Sequence, residues 1–207
     1  MLNVRARLQF LTLDQSPYSH AEQARFALEG GVRWIQLRTK NLSEKDWIKT
    51  AIEVGNLCRD FGATFIVNDS PRVALVAEAD GVHLGPKDAS PQSARALLGE
   101  FAIVGVTLNT LDHLSILSTA RIDYAGVGPV RYTTSKEPLA PVHSEKSLQE
   151  LIQGAQSVPC YAIGGVRAED WKNLQRLGAH GFAVSSAIAL SPDPLKSARD
   201  LVYLVSA

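Results

Sequence analysis

Short apolar runs alternate with longer amphipathic segments along the whole chain. The segment from Ser43 to Phe61 has apolar residues close to helical spacing, and Ser43 is a typical N-cap residue. The pattern therefore predicts strands that alternate with helices. The predicted strands are Leu8–Leu13, Trp34–Arg38, Thr64–Asn68, Gly81–Gly85, Ile103–Thr107, Tyr124–Val130, Cys160–Val166 and Gly181–Ser185. A second helix is predicted over Ala168–Leu177, where Gly178 would end it.

Alternation of strands and helices is typical of βαβ units and therefore of parallel strands. Eight such units in 207 residues predict an α/β fold in which one domain, residues 1–207, forms a (β/α)₈ TIM barrel. The alternative is an open doubly wound sheet that binds a nucleotide. Against it, the first predicted strand runs into Gln15-Ser16-Pro17-Tyr18, and no glycine-rich fingerprint follows an early strand.

The composition argues against several kinds of binding partner and cellular location. Lys plus Arg and Asp plus Glu balance at 21 each, which argues against a broad surface for nucleic acid or membranes. Two cysteines do not make a disulfide framework, and no apolar run reaches membrane-spanning length. We expect a cytoplasmic protein without nucleic-acid or membrane partners. A homodimer is compatible with the sequence, but no residue indicates one.

The second predicted strand carries polar side chains at its end. Gln36, Arg38 and Lys40 share one direction because side chains alternate along a strand. If they point into a barrel, the two cations require an anion, and Arg suits phosphate by its donor fork. If they point outward, they form a polar face paired with helical acids.

Two carboxylates follow the next two strands. Asp69 comes directly after the third strand and Asp88 lies in the loop after the fourth. Side chains on neighbouring strand ends can share Mg²⁺, which takes one or two carboxylates together with substrate phosphate oxygens. Alternatively, each Asp only caps the helix that follows it.

The last strands end in sequences suited to phosphate. Hydroxyl residues and Lys136 follow the sixth strand, and Gly164-Gly165 and Ser185-Ser186 follow the seventh and eighth, where barrels often bind phosphate. The simpler interpretation is a surface loop and two tight turns. Of the five histidines, His83 is expected to be a hydrogen-bonded core residue, and the others are expected to be mostly solvated.

Taken in order, these strand ends resemble the thiamine phosphate synthase family, including its thiazole tautomerase sister group. The resemblance extends from Gly31 to Ile188. It rests on Gln36-Leu37-Arg38-Thr39-Lys40, Val67-Asn68-Asp69, Asp80–Gly85 with Asp88, Gly105-Val106-Thr107, Asp123-Tyr124, Gly128-Pro129-Val130, Thr133-Thr134-Ser135-Lys136, Ala162–Val166 and Ser186-Ala187-Ile188.

The resemblance implies a transferase that joins hydroxymethylpyrimidine pyrophosphate to hydroxyethylthiazole phosphate, with Mg²⁺ as cofactor. It implies that Arg38, Lys40, Asn68 and Lys136 hold the pyrophosphate, and that Asp69 and Asp88 hold the metal. Arg38, Lys40 and Lys136 would be the catalytic residues. Gln36 and Thr107 would contact the pyrimidine or its leaving group, Thr133 and Ser135 would belong to a flap, and Gly165, Ser185 and Ser186 would bind the thiazole phosphate.

Some positions depart from the family pattern. Thr107 replaces a usual serine, Tyr132 a usual proline and Ser135 a second threonine, and residues 138–147 lack the usual glycines. Two alternatives remain: the thiazole tautomerase, which has a histidine where this chain has Pro129, and a non-catalytic paralogue that binds a phosphorylated ligand. The pair Asp69 and Asp88 argues against simple binding, because binding alone needs no metal.

Overall fold

The eight strands close into a barrel in the computed structural model, which describes residues 6–133 and 141–206. Every strand pairs in parallel with its neighbours in chain order, and β1 pairs with β8 to complete the ring. The sequence-based prediction of a (β/α)₈ barrel is confirmed. The strands are β1 (Leu8–Leu11), β2 (Trp34–Leu37), β3 (Thr64–Asn68), β4 (Gly81–Leu84), β5 (Ile103–Leu108), β6 (Tyr124–Val127), β7 (Cys160–Ala162) and β8 (Gly181–Val184).

Helices follow the strands and surround the barrel. They are α1 (His20–Glu29), α2 (Glu44–Asp60), α3 (Pro71–Val76), α4 (Pro91–Leu98), α5 (Glu145–Gly154), α6 (Trp171–Arg176), α7 (Ser186–Ala189) and α8 (Pro194–Ser206), with 3₁₀ helices at Leu111–Ser118 and Ala168–Asp170. Serine caps recur at their N-termini. The Ser19, Ser43 and Ser70 hydroxyls each accept from the N–H three residues on, which satisfies one orphan donor.

The apolar side chains divide into two clusters. The larger one fills the space between the barrel and its helices. The smaller one lies inside the barrel and consists of Trp34, Ile66, Ile103, Tyr124 and Tyr161. The Trp34 ring packs edge-to-face against both tyrosine rings at centroid distances of 4.7 Å. These rings close the barrel floor, so the inward positions further along the strands are left for polar groups.

Six predicted strands are too long at their C-terminal ends, three of them by one residue and three by two or more. β1 ends at Leu11 and not Leu13, β6 at Val127 and not Val130, and β7 at Ala162 and not Val166. Pro129 has no N–H for a ladder, and Gly164 and Gly165 take positive φ values of 89° and 67°, which a strand does not contain.

The helix predicted over Ala168–Leu177 is divided in the structure. Its first turn, Ala168–Asp170, is a 3₁₀ helix, and the α-helix begins at Trp171. The predicted helix Ser43–Phe61 agrees closely, with Ser43 as N-cap and Phe61 as C-cap. Within the described ranges, no helix is long and apolar enough to cross a membrane.

Candidate active site

The end of β2 presents its polar side chains to the barrel interior. Gln36 is buried, and Arg38 lines a cavity at the strand ends. In the described part of the chain, no hydrogen-bond partner holds the Arg38 guanidinium. Burial lowers the pKa of Arg38, while the charges of Asp69 and Asp14 act in the opposite direction. A half-buried cation that faces a cavity is suited to an anionic ligand.

Lys40 lies at the same edge and is held at two points. Its Nζ forms an ion pair with Asp69 Oδ2, and its backbone N–H donates to Asp14 Oδ2 over 2.8 Å. The other Asp14 oxygen lies 3.1 Å from His20 Nε2. Asp14 was not among the site residues predicted from the sequence. Its only signal is its position just beyond β1, and its partners lie on other loops.

The two predicted metal ligands lie side by side. The carboxyl groups of Asp69 and Asp88 are close enough for each to shift the pKa of the other, and Asp88 Oδ2 accepts from the Gly85 N–H over 2.7 Å. Burial and the Asp69 carboxyl raise the pKa of Asp88. The pKa of Asp69 is lowered: burial opposes this shift, but Lys40 and Asp88 outweigh it. Two carboxylates this close favour a shared cation.

Asp69 adopts an unusual backbone conformation. Its φ is 64°, and its N–H donates to the His83 carbonyl over 2.8 Å. A non-glycine residue in the left-handed region costs about 1–3 kcal/mol and is typical of functional sites. The turn directs the Asp69 carboxylate towards Asp88, whereas Asn68, one residue earlier, is buried in the barrel. Asp69 therefore does more than cap α3, whose N-cap is Ser70.

Thr107 at the end of β5 lines the cavity and contacts a buried histidine. His83 Nε2 lies 2.9 Å from Thr107 Oγ1, and His83 Nδ1 lies 3.0 Å from the Tyr124 hydroxyl. His83 is thus a hydrogen-bonded interior residue, as the sequence indicated. The expectation of solvated histidines is wrong: His20, His113 and His143 are half-buried and hydrogen-bonded, and His180 is half-buried against the Tyr161 ring.

The ends of β7 and β8 offer donors without acceptors. The Ser185 hydroxyl is buried without a hydrogen-bond partner, and the Gly165 N–H donates to no acceptor in residues 6–133 and 141–206. Ser186 is the first residue of α7, where N–H groups have no intrahelical acceptor. All three residues line the cavity beside Arg38.

The segment after β6 is anchored on both sides. The Arg131 guanidinium forms a two-pronged ion pair with the Asp170 carboxylate, with three contacts of 2.7–2.8 Å. The Arg131 backbone N–H donates to the Gly164 carbonyl over 2.9 Å. Beyond the undescribed residues, His143 Nε2 lies 3.1 Å from the Gly128 carbonyl oxygen. Thr133 lines the cavity. The predicted residues Ser135 and Lys136 lie outside the described residues.

One cavity therefore joins residues from six strand ends. It is lined by Leu11, Arg38, Thr107, Asn109, Gly128, Pro129, Thr133, Ile163–Val166 and Ala183–Ala187. Lys40 and Asp69 line a neighbouring groove, and Gln36, Asn68 and Asp88 line neither. No group of three or more His, Cys, Asp or Glu side chains suited to a metal occurs in the described part of the chain, so a metal here would complete its shell with other oxygen ligands.

Known proteins resemble this chain over nearly its whole length. The family model described as thiamine monophosphate synthase matches residues 8–188. Thiamine-phosphate synthase of Phocaeicola vulgatus is 39% identical over 201 residues, which are 95% of this chain and 97% of that protein. The Bacteroides fragilis protein of the same name is also 39% identical, over 95% of this chain and 98% of its own.

Solved structures agree with these sequence comparisons. Thiamine phosphate pyrophosphorylase from Pyrococcus furiosus superposes with a TM-score of 0.88 at 29% identity, covering 100% of this chain and 98% of that one. A 3-hexulose-6-phosphate synthase structure, with a TM-score of 0.71 and 18% identity over 96% of this chain and 99% of its own, shares the fold.

Proposed function

The chain belongs to the thiamine monophosphate synthase family, and we propose that it makes thiamine phosphate from 4-amino-2-methyl-5-hydroxymethylpyrimidine pyrophosphate and hydroxyethylthiazole phosphate. The reaction is a transfer that releases pyrophosphate. The observation that carries the proposal is one cavity lined both by Arg38 and by the unpaired donors at Gly165 and Ser185. A site with two separate anion-binding groups suits the joining of two phosphorylated molecules.

The β2–β4 side of the site fits the pyrophosphate. Arg38 and Lys40 bring positive charge to this edge, and buried Asn68 stands next to Asp69. Departure of pyrophosphate increases negative charge on its oxygens, so fixed cations stabilise the transition state more than the ground state. We assign Arg38, Lys40 and Asn68 to the leaving group. The assignment of Lys136 to it stays a prediction from the sequence.

Asp69 and Asp88 fit Mg²⁺. Both offer hard oxygen ligands, and burial together with the Asp69 carboxyl raises the pKa of Asp88, which supports a cation between the two groups. We propose that these carboxylates hold Mg²⁺, which when bound supplies positive charge to the pyrophosphate oxygens. Lys40, which pairs with Asp69 here, would then be released to the pyrophosphate.

The β7–β8 side fits the thiazole phosphate. The Gly165 and Ser186 N–H groups and the Ser185 hydroxyl offer donors to phosphate oxygens, and Thr133 lines the same cavity. Leu11, Ile163 and Val166 supply an apolar wall that excludes water from the reacting carbon and the thiazole nitrogen. Ser135 is predicted to add a hydroxyl from the same loop.

The tautomerase alternative finds no support in the geometry. Pro129 occupies the position of that group's histidine, and His143, which approaches the same strand end, is engaged by the Gly128 carbonyl and the Ser147 hydroxyl. No observation favours a second function.

The test is to incubate the purified protein with both precursors and Mg²⁺ and to measure thiamine phosphate. Chelation of the metal and Asp69→Ala should each reduce the rate by about 10²-fold or more, whereas Asp112→Ala, on an exposed 3₁₀ helix, should have no effect. Absence of product from a folded protein that still binds the thiazole phosphate would contradict the proposal.

A further inference from the structure

The backbone that carries Arg38 and Lys40 lies just beyond β2. In the described part of the chain, the last backbone hydrogen bond between this segment and the β1 side runs from the Thr12 N–H to the Gln36 carbonyl over 3.0 Å. Side chains then take the place of the ladder. The Arg38 N–H donates to Thr12 Oγ1 over 3.0 Å, and the Lys40 N–H donates to Asp14 Oδ2 over 2.8 Å. The loop after β1 therefore holds the backbone at both cations.

The loop after β1, residues 12–19, is held in turn by α1. Gln23 on this helix is 1% exposed, and its amide pairs with the Leu13 backbone as a neighbouring strand would. Gln23 Oε1 accepts the Leu13 N–H over 2.8 Å, and Nε2 donates to the Leu13 carbonyl over 3.0 Å. Buried backbone groups need such partners. The helix thus fixes the loop from which Asp14 reaches Lys40.

His20, the first residue of α1, orients the Asp14 carboxylate. His20 Nε2 lies 3.1 Å from Asp14 Oδ1, and both side chains are largely shielded from water. A carboxylate only accepts, so Nε2 carries the imidazole proton and donates it. Burial lowers the pKa of His20, although the Asp14 charge acts in the opposite direction, so the imidazole is neutral near pH 7. His20 therefore orients the negative charge of Asp14 without cancelling it.

That charge acts on Arg38. Burial lowers the pKa of Arg38, and the charges of Asp69 and Asp14 oppose this shift. Asp69 also pairs with Lys40, whereas both Asp14 oxygens are occupied by N–H donors. The described residues that line the cavity at the strand ends do not include Asp14 or His20. These two residues therefore act on a ligand through Arg38 and Lys40.

We propose that Asp14 and His20 are positioning residues for the transfer reaction, which hold Arg38 and Lys40 in place for the departing pyrophosphate before the substrate binds. The inference rests on the proposed function. Charges that are placed in advance stabilise the transition state without reorganisation during the reaction, and supporting residues must lock them in place. Displacement of such a group by about 1 Å can cost about 10²-fold in rate.

Two substitutions of Asp14 test this role in steady-state kinetics. Asp14→Ala removes the acceptor for the Lys40 N–H and the charge near Arg38, so it should reduce kcat by about 10-fold to 10²-fold. Asp14→Asn keeps an acceptor oxygen and should restore part of the rate. The KM for the thiazole phosphate should stay within about twofold in both variants, because the donors after β7 and β8 are unchanged.

Calorimetric binding gives a measurement that a merely structural role would not change. With Mg²⁺ present, Asp14→Ala should weaken binding of inorganic pyrophosphate by about 10-fold or more and leave binding of hydroxyethylthiazole phosphate unchanged. His20→Leu leaves Asp14 Oδ1 without its donor and should weaken pyrophosphate binding too, whereas His20→Gln keeps an N–H and should restore part of it.

Asp193 provides the matched control. It is exposed, and its Oδ1 accepts the Lys196 N–H over 2.9 Å, so Asp193→Ala also removes a carboxylate that holds a backbone N–H. This variant should lose some thermal stability and keep both affinities and kcat.

The outcomes separate this inference from the proposed function. Absence of product from the unmodified protein contradicts the function, while pyrophosphate binding still tests the positioning role. An unmodified protein that binds no pyrophosphate overturns both. Equal pyrophosphate affinities in folded Asp14→Ala and Asp193→Ala overturn the positioning role alone, as does an equal loss of thiazole phosphate binding in Asp14→Ala. If Asp14→Ala does not fold, equal pyrophosphate affinities in His20→Leu and His20→Gln overturn the role.

Discussion

Gly165→Ala should weaken binding of the thiazole phosphate by a steric effect. A second glycine with the same backbone conformation allows this effect to be measured separately from the backbone cost. Gly165 has a φ of 67°, and a Cβ there would lie 2.7 Å from Arg131 Cβ and 3.0 Å from the Tyr132 carbonyl oxygen. Carbon atoms normally pack at about 3.5–4.0 Å. The loop that contains Arg131 must therefore move by about 1 Å.

Gly62 provides the control for this substitution. Its φ of 60° matches that of Gly165, but a Cβ there would meet nothing within 4 Å. Both alanine variants incur the left-handed backbone cost of about 1–2 kcal/mol. Only Gly165→Ala adds an overpacking cost of about 1–3 kcal/mol. In a chain of this size, each kcal/mol lowers the Tm by about 2–4 °C.

The assay combines thermal unfolding with steady-state kinetics. Gly165→Ala should lower the Tm by several degrees more than Gly62→Ala, and it should raise the KM for the thiazole phosphate by about 10-fold or more, because displacement by 1 Å breaks hydrogen bonds to phosphate. Gly62→Ala should leave the KM unchanged. Equal Tm losses with equal KM values would refute the close packing of this turn against the segment after β6.

Three further predictions concern ionisable groups. Because burial and a neighbouring carboxyl raise the pKa of Asp88, protons compete with Mg²⁺ there, so the Tm increase caused by Mg²⁺ should shrink as the pH falls through that raised pKa. In the metal-free protein, the stability that Asp88 contributes is present at low pH and is lost as the pH rises through the same value. Burial raises the pKa of Cys58 and Cys160 to about 12, so neither thiol should react with a thiol reagent at pH 8 until guanidinium unfolds the chain. A double-mutant cycle with Arg131→Met and Asp170→Asn should give a coupling of about 1–3 kcal/mol, because the ion pair is two-pronged and partly buried.

Each of these has a contrary outcome. A Mg²⁺-induced Tm increase that is independent of pH, or that persists in Asp88→Asn, would contradict the metal assignment. Thiol reaction in the folded protein would contradict the burial of the cysteines. The exposed pair Lys146–Glu150, whose charged atoms are 3.9 Å apart, should give a coupling near zero, and equal coupling in both cycles would contradict the anchoring by Arg131.

The sequence carried enough information for the barrel and for the position of its site. Alternating apolar runs predicted eight parallel strands, and period-two alternation placed Gln36 and Arg38 on one face of β2, but only the structure shows that this face is turned inward. The strand ends were less predictable, because the positive φ of Gly164 and the missing N–H of Pro129 end strands inside apolar runs.

Contacts between distant loops were beyond prediction from one sequence. Asp170 follows Arg131 by 39 residues, and Lys40 follows Asp14 by 26. These pairs meet only because closure of the barrel sets which loops are neighbours. The partners of His83 escaped prediction for the same reason, since Tyr124 lies on β6 and Thr107 on β5, whereas His83 lies on β4.

The pairing of β1 with β8 has a consequence for the order in which the protein becomes functional during synthesis. Leu8 pairs with Phe182, so the ring closes only after the strand that contains Phe182 has left the ribosome. The contacts that offset the entropy lost in closing so long a loop form only at that point. Ser185, which lines the cavity together with Arg38, directly follows the strand that closes the ring. A nascent chain with seven strands therefore has two exposed sheet edges and no complete cavity, so ligand binding and the last step of folding coincide.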